Sequence, residues 1–110
     1  MKIWVDDMRP TPEGYIGFDS VNAALRYIRN NLHSIELLDL DHDMGGNFGG
    51  DCIVIMNELE RLCRRDLRFR EDVEKIKFKF HSANPVGVQN MRAVLQKNGW
   101  TEIWAKLKIY

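Results

Sequence analysis

The sequence predicts an α/β sandwich, a mostly parallel sheet packed with helices, and three observations carry that expectation. First, short apolar runs stop in polar clusters. Ile3-Trp4-Val5 meets Asp6-Asp7-Met8-Arg9, Ile35 to Leu40 meets Asp41-His42-Asp43-Met44-Gly45-Gly46, and Phe78-Lys79-Phe80 meets His81-Ser82-Ala83-Asn84-Pro85. Such runs, bounded by Gly, Pro and Asp, read as strands. Second, the segments between them carry helical spacing, so the order β, β, α, β, α, β, α, β implies layers. Third, parallel strands would bring all three clusters to one edge, where open α/β sheets bind their ligands.

Each element has its own justification. Residues 2–6 form the first strand, and Pro10, Pro12 and Gly14 punctuate the loop that follows. Tyr15 to Phe18 is a short second strand. Asp19-Ser20 supplies cap chemistry for a helix from Val21 to about Asn31, whose Val21, Ala24, Leu25, Ile28 and Leu32 recur at helical intervals. Ile35 to Asp41 is apolar on both faces at its centre, which suits a central strand. Asp51 is placed to cap a helix reaching about Arg65, with Cys52, Ile55, Met56, Leu59 and Cys63 on one stripe. Residues 68–74 read as charged connecting sequence, and Ile76 to Phe80 as a strand. Asn84-Pro85 starts a helix that turns Val88, Met91, Val94 and Leu95 inward and stops at Asn98-Gly99. Ile103 to Ile109 alternates loosely, as an exposed edge strand would.

Composition excludes several functions. A chain of 110 residues has room for one domain, residues 1–110, and one core. Its formal net charge is zero, so no global field holds a polyanion, and a DNA-coating or membrane-surface role is not expected. No apolar stretch approaches a membrane span, and the start of the chain reads as a strand rather than a leader. Cys52 and Cys63 would lie ~16 Å apart along a helix at ~1.5 Å per residue. Bridging needs Cα atoms roughly 4.4–6.8 Å apart. Two unbridged thiols at apolar positions suit core packing in a reducing cytoplasm.

The polar clusters carry the chemistry. Asp6, Asp7, Asp41 and Asp43 would gather at the tips of adjacent strands, where they cannot all ionise without a compensating charge. Arg9 nearby, or a hard divalent cation such as Mg²⁺ or Mn²⁺ held by Asp6, Asp7 and Asp41, would supply it. Asp39 lies deeper in its strand and takes a structural role. His42 and His81, each beside Asp or Asn at a strand tip, are the candidates for proton transfer, and His33 is solvated. Ser82, Asn84 and the helix after Pro85 offer donors to an anionic oxygen, with Gly87 small enough for close approach. Residues 45–50 hold four glycines without a GxxxxGK[ST] or GxGxxG pattern, which fits a flexible cover. Arg61, Arg64, Arg65, Arg68 and Arg70, mixed with acids, read as a solvated helix end rather than an RNA-contacting patch.

The segments VDDMRPTPEG, LDLDHDMGG and HSANPVGVQNM, in that order, resemble the small receiver-like family of cyclic-phosphate processing receiver domains. The resemblance runs from Met1 to about Leu95. It implies a three-layer, flavodoxin- or CheY-like sandwich with a reworked pocket. By that resemblance Asp6 and Asp7 match the paired acids that hold Mg²⁺ in receivers. Asp41 matches the phospho-accepting aspartate, with Asp39 an alternative, and Ser82 the hydroxyl after the fourth strand. The lysine-proline pair expected after the last strand is absent from Trp104-Ala105-Lys106-Leu107-Lys108, and His42 and His81 have no counterpart in phosphotransfer.

The expected activity is hydrolysis of a cyclic phosphodiester, either a 2′,3′-cyclic RNA end or a cyclic nucleotide. His42, His81, Asp41 and Asp43 would act in catalysis, and Arg9, Ser82 and Asn84 would hold the phosphate. A signalling module phosphorylated on Asp41, or a non-catalytic binder of a cyclic nucleotide or RNA end, are the alternatives. The partner is a phosphate-bearing small molecule or RNA end. Trp100, Trp104 and Tyr110 suit either internal packing or a dimer edge, so oligomeric state stays open.

Overall fold

The chain's computed structural model describes residues 1–45 and 50–103. Five strands, β1 (Lys2–Val5), β2 (Tyr15–Phe18), β3 (Leu37–Leu40), β4 (Lys77–Phe80) and β5 (Thr101–Glu102), form one sheet in the order β2-β1-β3-β4-β5. Every pairing is parallel. The expected central strand, β3, is indeed the middle one. The helices are α1 (Val21–Asn31), α2 (Ile53–Arg65), α3 (Leu67–Glu74) and α4 (Pro85–Lys97), and a 3₁₀ turn spans Leu32–Ser34.

Register decides which side chains meet. Ile3 pairs with Leu38 and Leu38 with Phe78, while Trp4 pairs with Asp39 and Asp39 with Lys79. Side chains alternate across a strand. Ile3, Val5, Leu38, Leu40 and Phe78 therefore share one face, and all are fully buried. The steps β2 to β3, β3 to β4 and β4 to β5 run the same way across the sheet. Right-handed crossovers then put α1, α2 and α4 on that same face, and α2 packs against α1, α3 and α4.

Only the β1 to β2 step runs the other way, and residues 6–14 carry no helix. Among the described residues the helices thus form one layer. The receiver-like α/β fold with a parallel central sheet, expected from the sequence, stands.

Local chemistry explains most element ends. Ser20 accepts from the Ala23 amide at 3.1 Å and starts α1. Asn84 accepts from the Gly87 amide at 3.0 Å, with Pro85 at the first helical position of α4. Asp51 does not cap α2: its carboxylate accepts from the Met44 amide at 3.0 Å, fastening the loop after β3, and Cys52 takes the cap position without a side-chain bond.

Residues read as charged connection form α3 instead. Asp66 caps it by accepting from the Arg68 amide at 2.8 Å, and Val73 is its one buried residue. Four of the five arginines named for this region are paired: Arg61 with Glu58, Arg64 with Glu60, Arg68 with Asp66 and Arg70 with Glu74. That fits a solvated, salt-bridged surface.

Trp100 packs inward, stacked on Phe78 at 5.3 Å between ring centroids. Cys52 and Cys63 are free thiols, and burial pushes the Cys52 thiol far up, which leaves it unreactive. The edge strand expected from Ile103 to Ile109 falls, but for Ile103, outside the described residues, and β5 at Thr101–Glu102 precedes it. Ile103 donates to Phe78, extending the pairing of β5, and residues 104–110 lie outside the described residues. So does most of the glycine-rich segment expected to cover the site, at 46–49. Among the described residues no helix is long and apolar enough to cross a membrane.

Candidate functional site

The strand tips expected to converge do so, and Asp6 is their centre. Its side chain is fully buried. One carboxylate oxygen, Oδ1, accepts from the Met8 and Arg9 amides at 2.7 and 2.8 Å. The other, Oδ2, takes Arg9 Nη1 at 2.9 Å and faces His81 Nε2 at 2.8 Å. Burial alone would raise the Asp6 carboxyl. The Arg9 and Met8 amides, the guanidinium and the imidazole outweigh it and bring the group down to about 2. Arg9 Nη1 also reaches Asp41 Oδ2 at 3.4 Å, so one guanidinium bridges the tips of β1 and β3.

Behind Asp6 stands a residue that sequence reasoning set aside. Asp39 is 2% exposed, and its Oδ1 lies 2.6 Å from His81 Nδ1. Both ring nitrogens of His81 therefore face carboxylates. The ring also stacks flat on Trp4, with centroids 3.8 Å apart and planes 2° from parallel.

The result is a row of alternating partners: Asp39, His81, Asp6, Arg9, Asp41. Asp39, expected to be structural, holds the ring of His81. A buried acid at mid-strand must be paired, and that was the available signal. Its partner, 42 positions away, was not legible.

The second histidine has a different setting. His42 Nδ1 lies 2.7 Å from Asp43 Oδ1, and the His42 amide donates to Asp41 Oδ1 at 2.8 Å. Asn84 Nδ2 donates to Asp43 Oδ1 at 3.0 Å while its oxygen caps α4. The His42 ring, then Asn84, hold the Asp43 carboxyl below its ordinary range. A Cβ at Gly87 would run into the His42 ring. Close approach at Gly87 thus makes room for the His42 ring. At Gly45, whose φ is +59°, a Cβ would run into Asp7 Oδ2, so glycine lets the tips of β1 and β3 close together.

A cleft of about 420 Å³ opens on this edge, lined by Asp7, Arg9, Asp41, Asp43, Ser82 and Asn84 among others. Six of the sequence-selected residues thus share it. Asp6 and His81 lie beneath it as supports, and His42 reaches it through Asp43. Ser82 Oγ accepts from the Asn84 amide at 3.0 Å, which fixes the turn into α4.

Asp6, Asp41 and His81 offer ligand atoms within 4.8 Å of one another, as do His42, Asp43 and Asp51. Both sets could hold a metal, and oxygen-rich donors suit Mg²⁺ or Mn²⁺. In the first set the donors are already engaged. Each Asp6 oxygen has two partners, and Arg9 supplies the positive charge between Asp6 and Asp41. A cation there would compete with Arg9. Asp7, expected as a third ligand, belongs to neither set.

A parallel sheet in this strand order, with paired acids after β1, an acid after β3 and a hydroxyl after β4, defines a receiver-like α/β protein. The family model for the cyclic-phosphate processing receiver domain matches residues 1–97, and the chain belongs to that family. No curated protein and no solved structure matches the chain.

Proposed function

We propose that the cleft binds a cyclic phosphodiester and opens its ring by hydrolysis. The observation that carries this reading is the shared cleft itself. Arg9 comes from the β1 tip, Asp41 and Asp43 from the β3 tip, and Ser82 and Asn84 from the β4 tip. Arg9, Ser82 and the start of α4 are the groups suited to the phosphate oxygens.

Ring opening needs a base for the attacking water and an acid for the departing oxygen. His42, oriented by Asp43, is the residue we assign to proton transfer, with Asp41 beside the attacked phosphorus. His81 passes from proton transfer to a positioning role, because both of its nitrogens are taken by Asp39 and Asp6. The cleft is lined by Asp7, Asp41 and Asp43 against Arg9, so a phosphate there gains from added positive charge. Asp41, with Asp6 or Asp43, would hold Mg²⁺ or Mn²⁺, which when bound neutralises charge on the phosphoryl oxygens. The proposed partner is a phosphate-bearing small molecule or RNA end in a reducing, cytoplasmic setting.

Purified protein with Mg²⁺ or Mn²⁺ is expected to open 2′,3′-cyclic or 3′,5′-cyclic nucleotides. Arg9→Gln is expected to lower kcat/KM about a hundredfold, the usual cost of one donor to a charged transition state. Substrates left intact by the wild-type protein would refute hydrolysis. Thermal stabilisation by the same compounds without turnover would indicate a binder instead.

A second reading rests on Asp41 alone. It lines the cleft beside Ser82 in the arrangement a phospho-accepting receiver uses. Mass spectrometry after acetyl phosphate or beryllofluoride decides it, through an adduct on Asp41.

A further inference from the structure

A second cavity of about 400 Å³ adjoins the cleft, and Asp7 and Arg9 line both. Beyond that shared wall lie Pro10, Thr11, Phe18 and Asp19. It opens where the β1–β2 connection is a loop rather than a helix. The Tyr15 amide donates to the Pro12 carbonyl at 3.2 Å, and the Thr11 side chain sits where a Cβ at Gly17 would go. Together these hold the loop against β2 and leave the space beside it open. Its volume suits a small organic group, since ligand pockets run to roughly 300–1,000 Å³.

The lining says what that group is. Phe18 and Pro10 offer apolar surface to a flat or sugar-like body, and Thr11 offers a hydroxyl. Asp7 and Asp19 bring carboxylates, while Arg9 at the shared wall is the cation of the lining. Carboxylates accept from ribose hydroxyls and exocyclic amines. They repel a second phosphate.

We infer that this cavity is the nucleoside subsite of the proposed reaction, and that it selects a free mononucleotide cyclic phosphate over the cyclic end of an RNA chain. With the reacting phosphate at Arg9 and Ser82, the nucleoside lies across Arg9 beside Thr11 and Phe18. An RNA end would bring its next phosphate toward Asp19. The inference rests on the cyclic-phosphate reading of the cleft and narrows its substrate.

The test compares adenosine 2′,3′-cyclic phosphate with a dinucleotide ending in the same cyclic phosphate, by Kd and by kcat/KM. The mononucleotide is expected to be preferred at least tenfold at low salt. The preference is expected to narrow with added salt and in Asp19→Asn, a change at an exposed position. Equal treatment of the two, or preference for the dinucleotide, overturns the inference.

A separate arm uses millimolar adenosine, which carries no phosphate, and follows backbone amide shifts. Shifts at Thr11, Gly17 and Phe18 support the subsite even where nothing is hydrolysed, in which case only the hydrolase reading falls. Turnover without those shifts overturns the subsite and leaves the hydrolase reading standing.

Discussion

Asp6→Asn is expected to lower stability at neutral pH by about 2 kcal/mol, and the deficit is expected to fade as the solution is acidified. The amide copies the shape of a protonated carboxyl, so the variant measures what the charge contributes. That charge meets two backbone amides, Arg9 and His81 in a fully buried position. The group titrates at about 2 in the fold against 3.8 without it. At ~1.4 kcal/mol per unit, the difference gives that magnitude.

The sign follows from a depressed folded value. The contribution is complete above the unfolded pKa, declines as pH falls below about 4, and is gone once pH passes below about 2. Urea denaturation of both proteins between pH 7 and 2 checks it. A gap that stays constant across that range would mean that Asp6 acts by shape rather than by charge. Because the Asp6 charge pairs with Arg9, the variant is also expected to loosen the guanidinium that faces the cleft.

Gly87→Ala is expected to destabilise the protein by about 1–2 kcal/mol and to abolish most turnover. On helix propensity alone the change should stabilise, by roughly 0.5–1 kcal/mol. Gly87 is buried, however, and the added carbon would enter the His42 ring. That ring is little exposed and tied to Asp43. Overpacking costs roughly 1–3 kcal/mol, so the steric term wins. Either the ring moves and the His42–Asp43 contact breaks, or α4 shifts and carries Asn84 off Asp43. Thermal denaturation and turnover are read together. A stabilised variant with full activity would show that His42 needs no such seat.

How much of this was readable beforehand depends on how local the cause is. The strand tips were legible because apolar runs and polar clusters lie side by side in the chain, and the parallel sheet then gathered Arg9, Asp41, Asp43, Ser82 and Asn84. α3 was not, since a short helix burying only Val73 leaves almost no periodic trace. The depth of Asp39 was legible and its partner was not, because only the register of β3 beside β4 brings it to His81. The positioning role proposed for His81 rests on the same register. A histidine beside serine and asparagine suggests proton transfer until its two nitrogens are found between carboxylates. That the described helices share one layer follows from the direction of each crossover, which is a property of strand order rather than of any residue.

The most direct measurement is one electron-density map from crystals soaked with Mn²⁺ and a 2′,3′-cyclic nucleotide. The account predicts phosphate density within hydrogen-bond reach of Arg9, Ser82 and the start of α4, with Asp41 and Asp43 facing it. Phosphate bound elsewhere, with these residues turned to bulk water, would contradict it.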